Sequence, residues 1–367
     1  MGRKEAIAWV LSVCIGVLRR SQAKTLGALV AATMNVERVS LAAIGREMLA
    51  EHAKHQIKRV HRFIANNRVE PVTAMEGVIR KLLRKWPDKR PLLVSFDWTD
   101  IRQIQTLMAA AVVGGRSIPL CWASIYKNSF DKSRNAFEQS LLRVLRSMIP
   151  AHIRVIILAD RGFGRTELVR FCQQVGFGYV IRIKPKVFVT VDGRGCRLDQ
   201  VPVRRGMCKL LKAVLYRQRD PVCQNVVIRW KKGLPGKRDE CWYLMTDIDR
   251  RPAAISDLYA RRMSVEEFFR DAKSRRNGWS LRDTGIQRPE RLDRLILVLA
   301  VAYLLLVGIG LVATEKCRPS MWASNTRTHD LSAFQIGRVV LHELRLKPTA
   351  LLAAILHALQ SQTSKWG

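Results

Sequence analysis

The chain has 367 residues, and 48% of them are hydrophobic. That length suits two or three domains, and that hydrophobic content excludes a disordered chain. Its 64 lysines and arginines outnumber its 30 aspartates and glutamates and give a formal net charge of +34, which indicates a polyanionic partner, nucleic acid before an anionic membrane. Eight single cysteines with no C-x-x-C pair suggest neither a zinc ribbon nor a disulfide framework and favour a reducing cytoplasm.

The N-terminal part of the chain has the pattern of short basic helices. Residues 1–70 predict helices with short breaks, and arginines and lysines dominate their polar faces. Small basic helical units commonly bind DNA, so we predict a helical DNA-binding region here. Residues 71–90 add a helix and a proline-containing connection, which indicates a domain boundary.

Strand patterns begin at Pro91. Three strands are predicted first, from LLVSFDWT, TLMAAAVV and SIPLCWASI, and the Gly114-Gly115 turn joins the second and third as an antiparallel hairpin. The helical pattern NAFEQSLLRVLRSMI leads to the apolar run HIRVIILAD, which is typical of a strand buried on both faces. A helix and the strand GYVIRIK follow.

Three antiparallel strands followed by strand, helix and strand is the order of a ribonuclease H-like sheet. In that topology the first and fourth strands are adjacent and parallel. Asp97 and Asp160 end these two strands, so we expect their carboxylates to lie side by side and to share a cation.

The remaining segments complete the predicted architecture. The first part of the core is expected over residues 91–185, a β-rich insertion of short alternating runs over 186–250, and the second part of the core over 251–314. Residues 315–367 predict a helical C-terminal region. The fold class is therefore α/β, a ribonuclease H-like mixed sheet with flanking helices, interrupted by a β-rich insertion and preceded by the N-terminal helical region.

One segment also satisfies the length criterion for a membrane span. Leu295 to Thr314 is an uncharged run of 20 residues, enough to cross a bilayer of roughly 30 Å as a helix. Basic residues flank both ends and give no orientation asymmetry, and a helix buried in a protein core is equally apolar. We predict a buried helix, with a basic membrane protein as the alternative.

The segment YARRMSVEEFFRDAK contains the third notable carboxylate. If residues 258–273 form a helix, Tyr259, Arg262, Glu266 and Lys273 fall within an arc of roughly 60°, and the apolar side chains gather on the opposite side. A phenol, a guanidinium, a carboxylate and an ammonium in one line suit a phosphodiester beside a metal ion.

Cleaving or joining a phosphodiester requires an in-line nucleophile, neutralised charge and a stabilised leaving oxygen, and two Mg²⁺ ions about 4 Å apart provide all three. Magnesium prefers oxygen ligands. We therefore predict that Asp97, Asp160 and Glu266 bind two divalent ions, Mg²⁺ or Mn²⁺. Asp100 is the alternative to Asp97, whereas Glu267 lies about 100° around the helix from Glu266.

The residues Tyr259, Arg262, Glu266 and Lys273 match without deviation the Y-(2)-R-(3)-E-(6)-K signature of a large group of insertion-sequence DDE transposases, which this chain resembles. The resemblance covers roughly residues 90–314. The basic N-terminus is more weakly similar to the family. The chain departs from the family after the catalytic core, where the C-terminal tail is short for a separate dimerisation domain.

Two further motifs carry the same resemblance. The DWTD run with Asp97 and the DRGF run with Asp160 look like the family's first and second acidic motifs. The gaps of 63 residues between Asp97 and Asp160 and of 106 residues between Asp160 and Glu266 are compatible with a core that a β insertion interrupts before the glutamate.

The resemblance implies a cut-and-paste transposase that acts as a dimer on paired transposon ends. Water frees a 3′ hydroxyl, which forms a hairpin with the opposite strand, and the reopened end joins target DNA. Tyr259, Arg262 and Lys273 would contact phosphates near the scissile bond. Trp242 or Trp230 would support an extruded base, with a core position as the alternative for both.

Two alternative functions remain open at this point. One is a nuclease of the same fold that hydrolyses nucleic acid without strand transfer, and the other is an inactive DNA-binding remnant. The expected partners are double-stranded DNA, as transposon ends and target, and a second copy in a homodimer, with no membrane. The expected location is the cytoplasm, in association with the nucleoid.

Overall fold

A mixed sheet of ten strands forms the centre of the computed structural model, which describes residues 3–48, 52–87, 90–129, 134–233, 236, 238–276, 278–323, 331–343 and 347–361. In chain order the strands are β1 (Leu92–Ile101), β2 (Ile104–Val113), β3 (Arg116–Tyr126), β4 (Val155–Ala159), β5 (Phe177–Arg182), β6 (Phe188–Val191), β7 (Arg194–Arg197), β8 (Cys208–Tyr216), β9 (Val222–Lys231) and β10 (Glu240–Thr246). Their order in the sheet is β3-β2-β1-β4-β5-β10-β9-β8-β6-β7.

Helices pack on both faces of this sheet. Those in the described ranges are α1 (Arg3–Val13), α2 (Arg20–Asn35), α3 (Leu41–Glu47), α4 (Ala53–Ala65), α5 (Pro71–Leu83), α6 (Arg134–Met148), α7 (Thr166–Gln174), α8 (Pro252–Ala260), α9 (Ser264–Lys273), α10 (Pro289–Lys316), α11 (Ala333–Val339) and α12 (Pro348–Ser361). Proline begins α5, α8, α10 and α12, because the first helical position needs no N–H and proline already has a helical φ.

The strand order that the sequence predicted for the core is confirmed. β1 pairs antiparallel with β2, β2 pairs antiparallel with β3, and β1 pairs parallel with β4. The apolar runs of β1 and β4 are buried because helices cover both faces of the sheet. The observed α/β architecture is consistent with a ribonuclease H-like domain.

The strands predicted over residues 186–250 extend the same sheet. β10 pairs antiparallel with β5, and β9, β8, β6 and β7 follow it outward. The domain boundaries proposed from sequence stay predictions, as does DNA binding by α1–α4.

The longest helix, α10, lies inside the protein. It is long and apolar enough to cross a membrane by length and composition, and 94% of its most apolar window is buried. Gly310 permits this packing, since a Cβ atom there would lie 1.7 Å from the carbonyl oxygen of Ala333 near the start of α11. Arg294 of α10 donates hydrogen bonds to the backbone oxygens of Ile64 and Val69 and so joins the N-terminal helices to the core.

The prediction of one continuous helix over residues 258–273 is wrong. A 3-10 turn at Arg261–Met263 separates α8 from α9. Leu258 of α8 packs in the hydrophobic cluster that contains Leu158 of β4, whereas Phe268 of α9 packs in the cluster that contains Ile157. Consecutive residues of a strand point to opposite faces, so the two helices cover opposite faces of the sheet. The chain therefore bends between them, beside β1 and β4.

Candidate active site

Asp97 and Asp160 are neighbours because of the register between two parallel strands. Phe96 of β1 pairs with Ala159 of β4, and the two aspartates are the next residues along. Parallel strands lie about 4.8 Å apart, and equivalent positions share a face of the sheet. The Asp97 side chain is 15% exposed and accepts a hydrogen bond of 2.9 Å from the Trp98 N–H.

The turn after β4 fixes the carboxylate of Asp160. Its Oδ1 atom accepts a hydrogen bond of 2.7 Å from the N–H of Gly162, within a 3-10 turn at Arg161–Phe163. A Cβ atom at Gly162 would stand 3.0 Å from that oxygen, so a larger residue would crowd the carboxylate. Glycine at position 162 therefore leaves room for this tight turn.

Arg262 joins the other two carboxylates to each other. Its Nη1 atom lies 3.0 Å from Asp97 Oδ2, and its Nη2 atom lies 2.6 Å from Glu266 Oε1. The Arg262 side chain is only 10% exposed, because it lies in the 3-10 turn between α8 and α9. This pair of contacts brings Glu266, at the start of α9, to the middle of β1.

The electrostatics show that the three carboxylates are close to one another. Burial raises the pKa of Asp97 to about 6, Arg262 opposes that rise, and the negative charges of Asp160 and Glu266 add to it. Burial acts to lower the pKa of Arg262, but Tyr259, Asp97 and Glu266 together raise it above its usual value. A second positive charge near Asp97 would therefore be stabilising.

The donor chemistry at this position fits a hard divalent cation, which prefers carboxylate oxygens. Within the described ranges, no three acidic, histidine or cysteine side chains stand close enough to enclose a metal ion in this conformation. The guanidinium of Arg262 instead occupies the space between Asp97 and Glu266. Binding of an ion by all three carboxylates thus requires Arg262 to give up at least one of its contacts.

A cavity of about 630 Å³ opens beside these residues, and we call it the active-site cavity. It is lined by Asp97, Trp98, Thr99, Asp100, Glu266, Phe269, Arg270, Lys273, Ser274 and Arg282. The Lys273 Nζ atom donates a hydrogen bond of 2.6 Å to Thr99 Oγ1. Burial, with Arg282 adding to it, lowers the pKa of Lys273 to about 8.

Trp242 and Tyr259 lie in the protein core and not on the wall of this cavity. The Trp242 residue is 9% exposed, and its ring meets that of Tyr259 edge-on at 5.2 Å. Burial raises the pKa of Tyr259. Because α8 covers Trp242, the expected face for an extruded base is occupied by the protein itself. Trp230 donates through Nε1 to Asp239 Oδ2 at 3.1 Å.

Sequence reasoning missed Glu138 of α6, whose side chain is completely buried. It accepts hydrogen bonds from Trp98 Nε1 at 2.9 Å, from Arg134 and from Arg165. Arg165 also donates to the carbonyl oxygen of Gly162, in the turn that holds Asp160. Glu138 lies three residues before the buried Leu141, and an acidic residue on an apolar helical face was the available signal.

A mixed sheet that brings Asp97 of β1 next to Asp160, directly after the parallel strand β4, is typical of enzymes that act on phosphodiesters. The model of the family described as Transposase DDE domain matches residues 88–305, more than half of the chain. This protein belongs to that family. It is thus a metal-dependent enzyme that cleaves DNA. A search of curated proteins returned no match.

Proposed function

We propose that this protein is the transposase of an insertion sequence and belongs to the group with the Y-(2)-R-(3)-E-(6)-K signature. In this proposal it binds terminal inverted repeats and moves the DNA between them by cut-and-paste transposition. The observation that supports it most is the contact of Arg262 with both Asp97 and Glu266, next to the β1–β4 register in which Asp97 and Asp160 directly follow the paired residues Phe96 and Ala159.

In the proposed site, Asp97, Asp160 and Glu266 hold two divalent ions, Mg²⁺ or Mn²⁺. When bound, such ions polarise the scissile phosphate and promote formation of an oxygen nucleophile. Lys273 lies on the wall of the same cavity, where its ammonium group would contact a phosphate oxygen. Tyr259 would act through Arg262, because its ring lies 6.0 Å from that guanidinium carbon and is buried.

The proposed reaction has four phosphoryl transfers. Water breaks a phosphodiester at the transposon end and leaves a 3′ hydroxyl. That hydroxyl attacks the opposite strand, forms a hairpin and releases the flanking DNA. A second water opens the hairpin, and the 3′ hydroxyl then attacks target DNA and displaces a target 3′ oxygen. Each step exchanges one phosphorus–oxygen bond for another, so no oxidant or reductant is needed.

The proposed partners are double-stranded DNA and a second copy of the chain in a synaptic homodimer. The net charge of +34 supports a polyanionic partner. We place the protein in the cytoplasm, in association with the nucleoid and without a membrane anchor. The burial of α10 supports the last point, because a helix inside the protein offers lipid little surface.

A strand-transfer assay tests this proposal. The DNA that flanks the gene is searched for inverted repeats, and labelled duplexes of these ends are incubated with purified protein, Mg²⁺ and a target plasmid. Joined product with wild type, and none with Glu266→Ala or with scrambled ends, is the expected result. Hydrolysis without joining would instead identify a nuclease, and binding without cleavage an inactive remnant.

A further inference from the structure

A second cavity, of about 690 Å³, lies next to the active-site cavity, and we call it the Arg102 groove. It is lined by Arg102, Gln103, Tyr126, Ile286, Gln287 and Arg288. Two guanidinium groups and two amides face it, and no carboxylate belongs to its lining. Tyr126 adds an aromatic ring, and this residue is 47% exposed. This composition fits a polyanion.

A hydrogen bond joins a residue of the groove to a residue of the active-site cavity. Arg102 Nε donates a hydrogen bond of 2.7 Å to the carbonyl oxygen of Arg282, and Arg282 lines the active-site cavity. On its other side, the groove shares Tyr126 and Arg288 with a third cavity of about 580 Å³ that reaches Asn67 after α4. That third cavity also includes carboxylates, so the positive charge is concentrated in the middle of the path.

The two arginines of the groove are available for a ligand. In the part of the chain that the structure describes, no carboxylate lies within 4.0 Å of Arg102 or Arg288. The nearby Asp283 pairs with Arg275 at 2.8 Å. Elsewhere many exposed arginines are paired, for example Arg205 with Asp239. A guanidinium without a carboxylate partner matches the geometry of a phosphate group.

Arg102 also has an unfavourable backbone conformation. It lies in the turn between β1 and β2 with a φ of +56°, in the left-handed region that glycine and asparagine adopt most readily. An arginine is less stable in this conformation than those residues. The position therefore retains a guanidinium at the expense of stability, which is typical of a side chain with a binding role.

We propose that the Arg102 groove binds the sugar–phosphate backbone of the DNA on one side of the scissile phosphate. This inference rests on the proposed function and adds where the flanking DNA lies. β1 runs four residues from Asp97 to Ile101, the residue before Arg102, or about 13 Å. Because duplex DNA rises 3.4 Å per base pair, the groove meets the backbone about four base pairs from the cleaved bond.

The salt dependence of DNA binding tests this proposal. The affinity of the full-length protein for a labelled duplex of its ends is measured over a range of salt concentrations, for wild type, Arg102→Asn, Arg288→Gln and the double variant. Each lost phosphate contact makes the slope of log affinity against log salt concentration less steep by about 0.9. The slope of the double variant should therefore be less steep than that of wild type by about 1.8. Arg102→Asn should melt no lower than wild type, because asparagine tolerates the positive φ.

Arg205→Gln is the matched control. It also removes one positive charge from an exposed arginine, and it lies before β8, seven strands from β3 and roughly 34 Å away. Its slope should equal that of wild type. A duplex with a neutral methylphosphonate about four base pairs from the cleavage position should bind wild type more weakly than the unmodified duplex does. Its affinity for Arg102→Asn should be nearly unchanged.

The outcomes separate this inference from the proposed function. Wild-type slopes in Arg102→Asn and Arg288→Gln would overturn the groove assignment, even if wild type carries out strand transfer. Reduced slopes in both variants would support the groove, even if wild type only hydrolyses its DNA. Absence of DNA binding by wild type would overturn both.

Discussion

Arg262 and Asp97 form a buried ion pair, with Nη1 of the arginine 3.0 Å from Oδ2 of the aspartate. The same guanidinium contacts Glu266, so one cation neutralises two carboxylates from distant parts of the chain. Close carboxylates repel one another, so they remain ionised together only with a positive charge between them. We infer that Arg262 and the divalent ions compete for these oxygens.

This competition predicts how Arg262→Ala responds to metal. In the presence of a chelator, the variant should lose about 2 kcal/mol of stability, because it leaves Asp97 buried without its ion pair. Excess Mg²⁺ should raise the melting temperature of the variant more than that of wild type, since the vacated space accepts the ion. Thermal melts with and without Mg²⁺ measure this. Arg270→Ala, which removes an exposed arginine from the following helix α9, is the control, and an equal Mg²⁺ response in all three proteins would contradict the idea.

Loss of any proposed ligand should abolish chemistry without abolishing DNA binding. Asp97→Asn, Asp160→Asn and Glu266→Gln should each slow cleavage by about 10³ or more, because transition-state charge is no longer neutralised. Asp100→Asn and Glu267→Gln serve as neighbouring controls and should keep rates within about threefold of wild type. Single-turnover cleavage of a labelled end is the measurement. Loss of activity in Asp100→Asn with full activity in Asp97→Asn would reverse the assignment.

The sequence predicts the core of this site because each relevant pattern is local. The apolar runs before Asp97 and Asp160 identify two buried strands, and the order of elements makes those strands neighbours. The observed pairing of Phe96 with Ala159 agrees with the expectation that Asp97 and Asp160 lie side by side. The expectation that Asp97 ends its strand is wrong, since β1 continues to Ile101. No long-range information beyond the topology is needed for this part.

The position of Arg262 depends on packing that periodicity does not report. A 3-10 turn advances about 120° per residue, close to the 100° of an α-helix, so the pattern from Tyr259 to Lys273 continues through the bend. Which face of the sheet each helix covers decides where the bend falls. The sequence leaves the place of Trp242 open for a similar reason, because its burial depends on α8, a helix later in the chain.

Glu138 should act as a positioning residue for the turn that carries Asp160. Glu138→Gln keeps the side-chain volume but weakens the contact to Arg165, which holds the Gly162 carbonyl oxygen. We expect cleavage to slow by about 10-fold to 100-fold, as for other groups that orient metal ligands, with a higher Mg²⁺ requirement and an unchanged KM for DNA.

A Mg²⁺ titration of the cleavage rate measures this effect. Glu167→Gln, at an exposed acidic residue of α7, is the control. A Glu138→Gln protein that melts lower but needs no more Mg²⁺ than wild type would show that Glu138 only stabilises the fold.

Asp293 of α10 should make stability depend on pH. Burial raises its pKa to about 7, and its Oδ2 atom accepts a hydrogen bond of 3.4 Å from the N–H of Ser124. Since the folded pKa exceeds the unfolded value, the contribution of Asp293 is fully present below about pH 4 and is lost as the pH rises through about 7. Asp293→Asn should therefore stabilise the protein at pH 8 by at least about 1 kcal/mol, less at pH 5.

Chemical denaturation of wild type and Asp293→Asn at several pH values measures this difference. Asp249→Asn, at a side chain that is 80% exposed, should show no such trend. A difference between Asp293→Asn and wild type that stays constant from pH 5 to pH 8 would rule out titration of Asp293 as the cause.

Anomalous diffraction from Mn²⁺ in crystals of the protein with its cleavable end DNA would locate the divalent ions relative to the three carboxylates. We expect anomalous peaks at coordination distance from oxygens of Asp97, Asp160 and Glu266, with Arg262 displaced from at least one carboxylate. Mn²⁺ bound elsewhere beside the scissile phosphate, with the Arg262 contacts to Asp97 and Glu266 intact, would contradict this expectation.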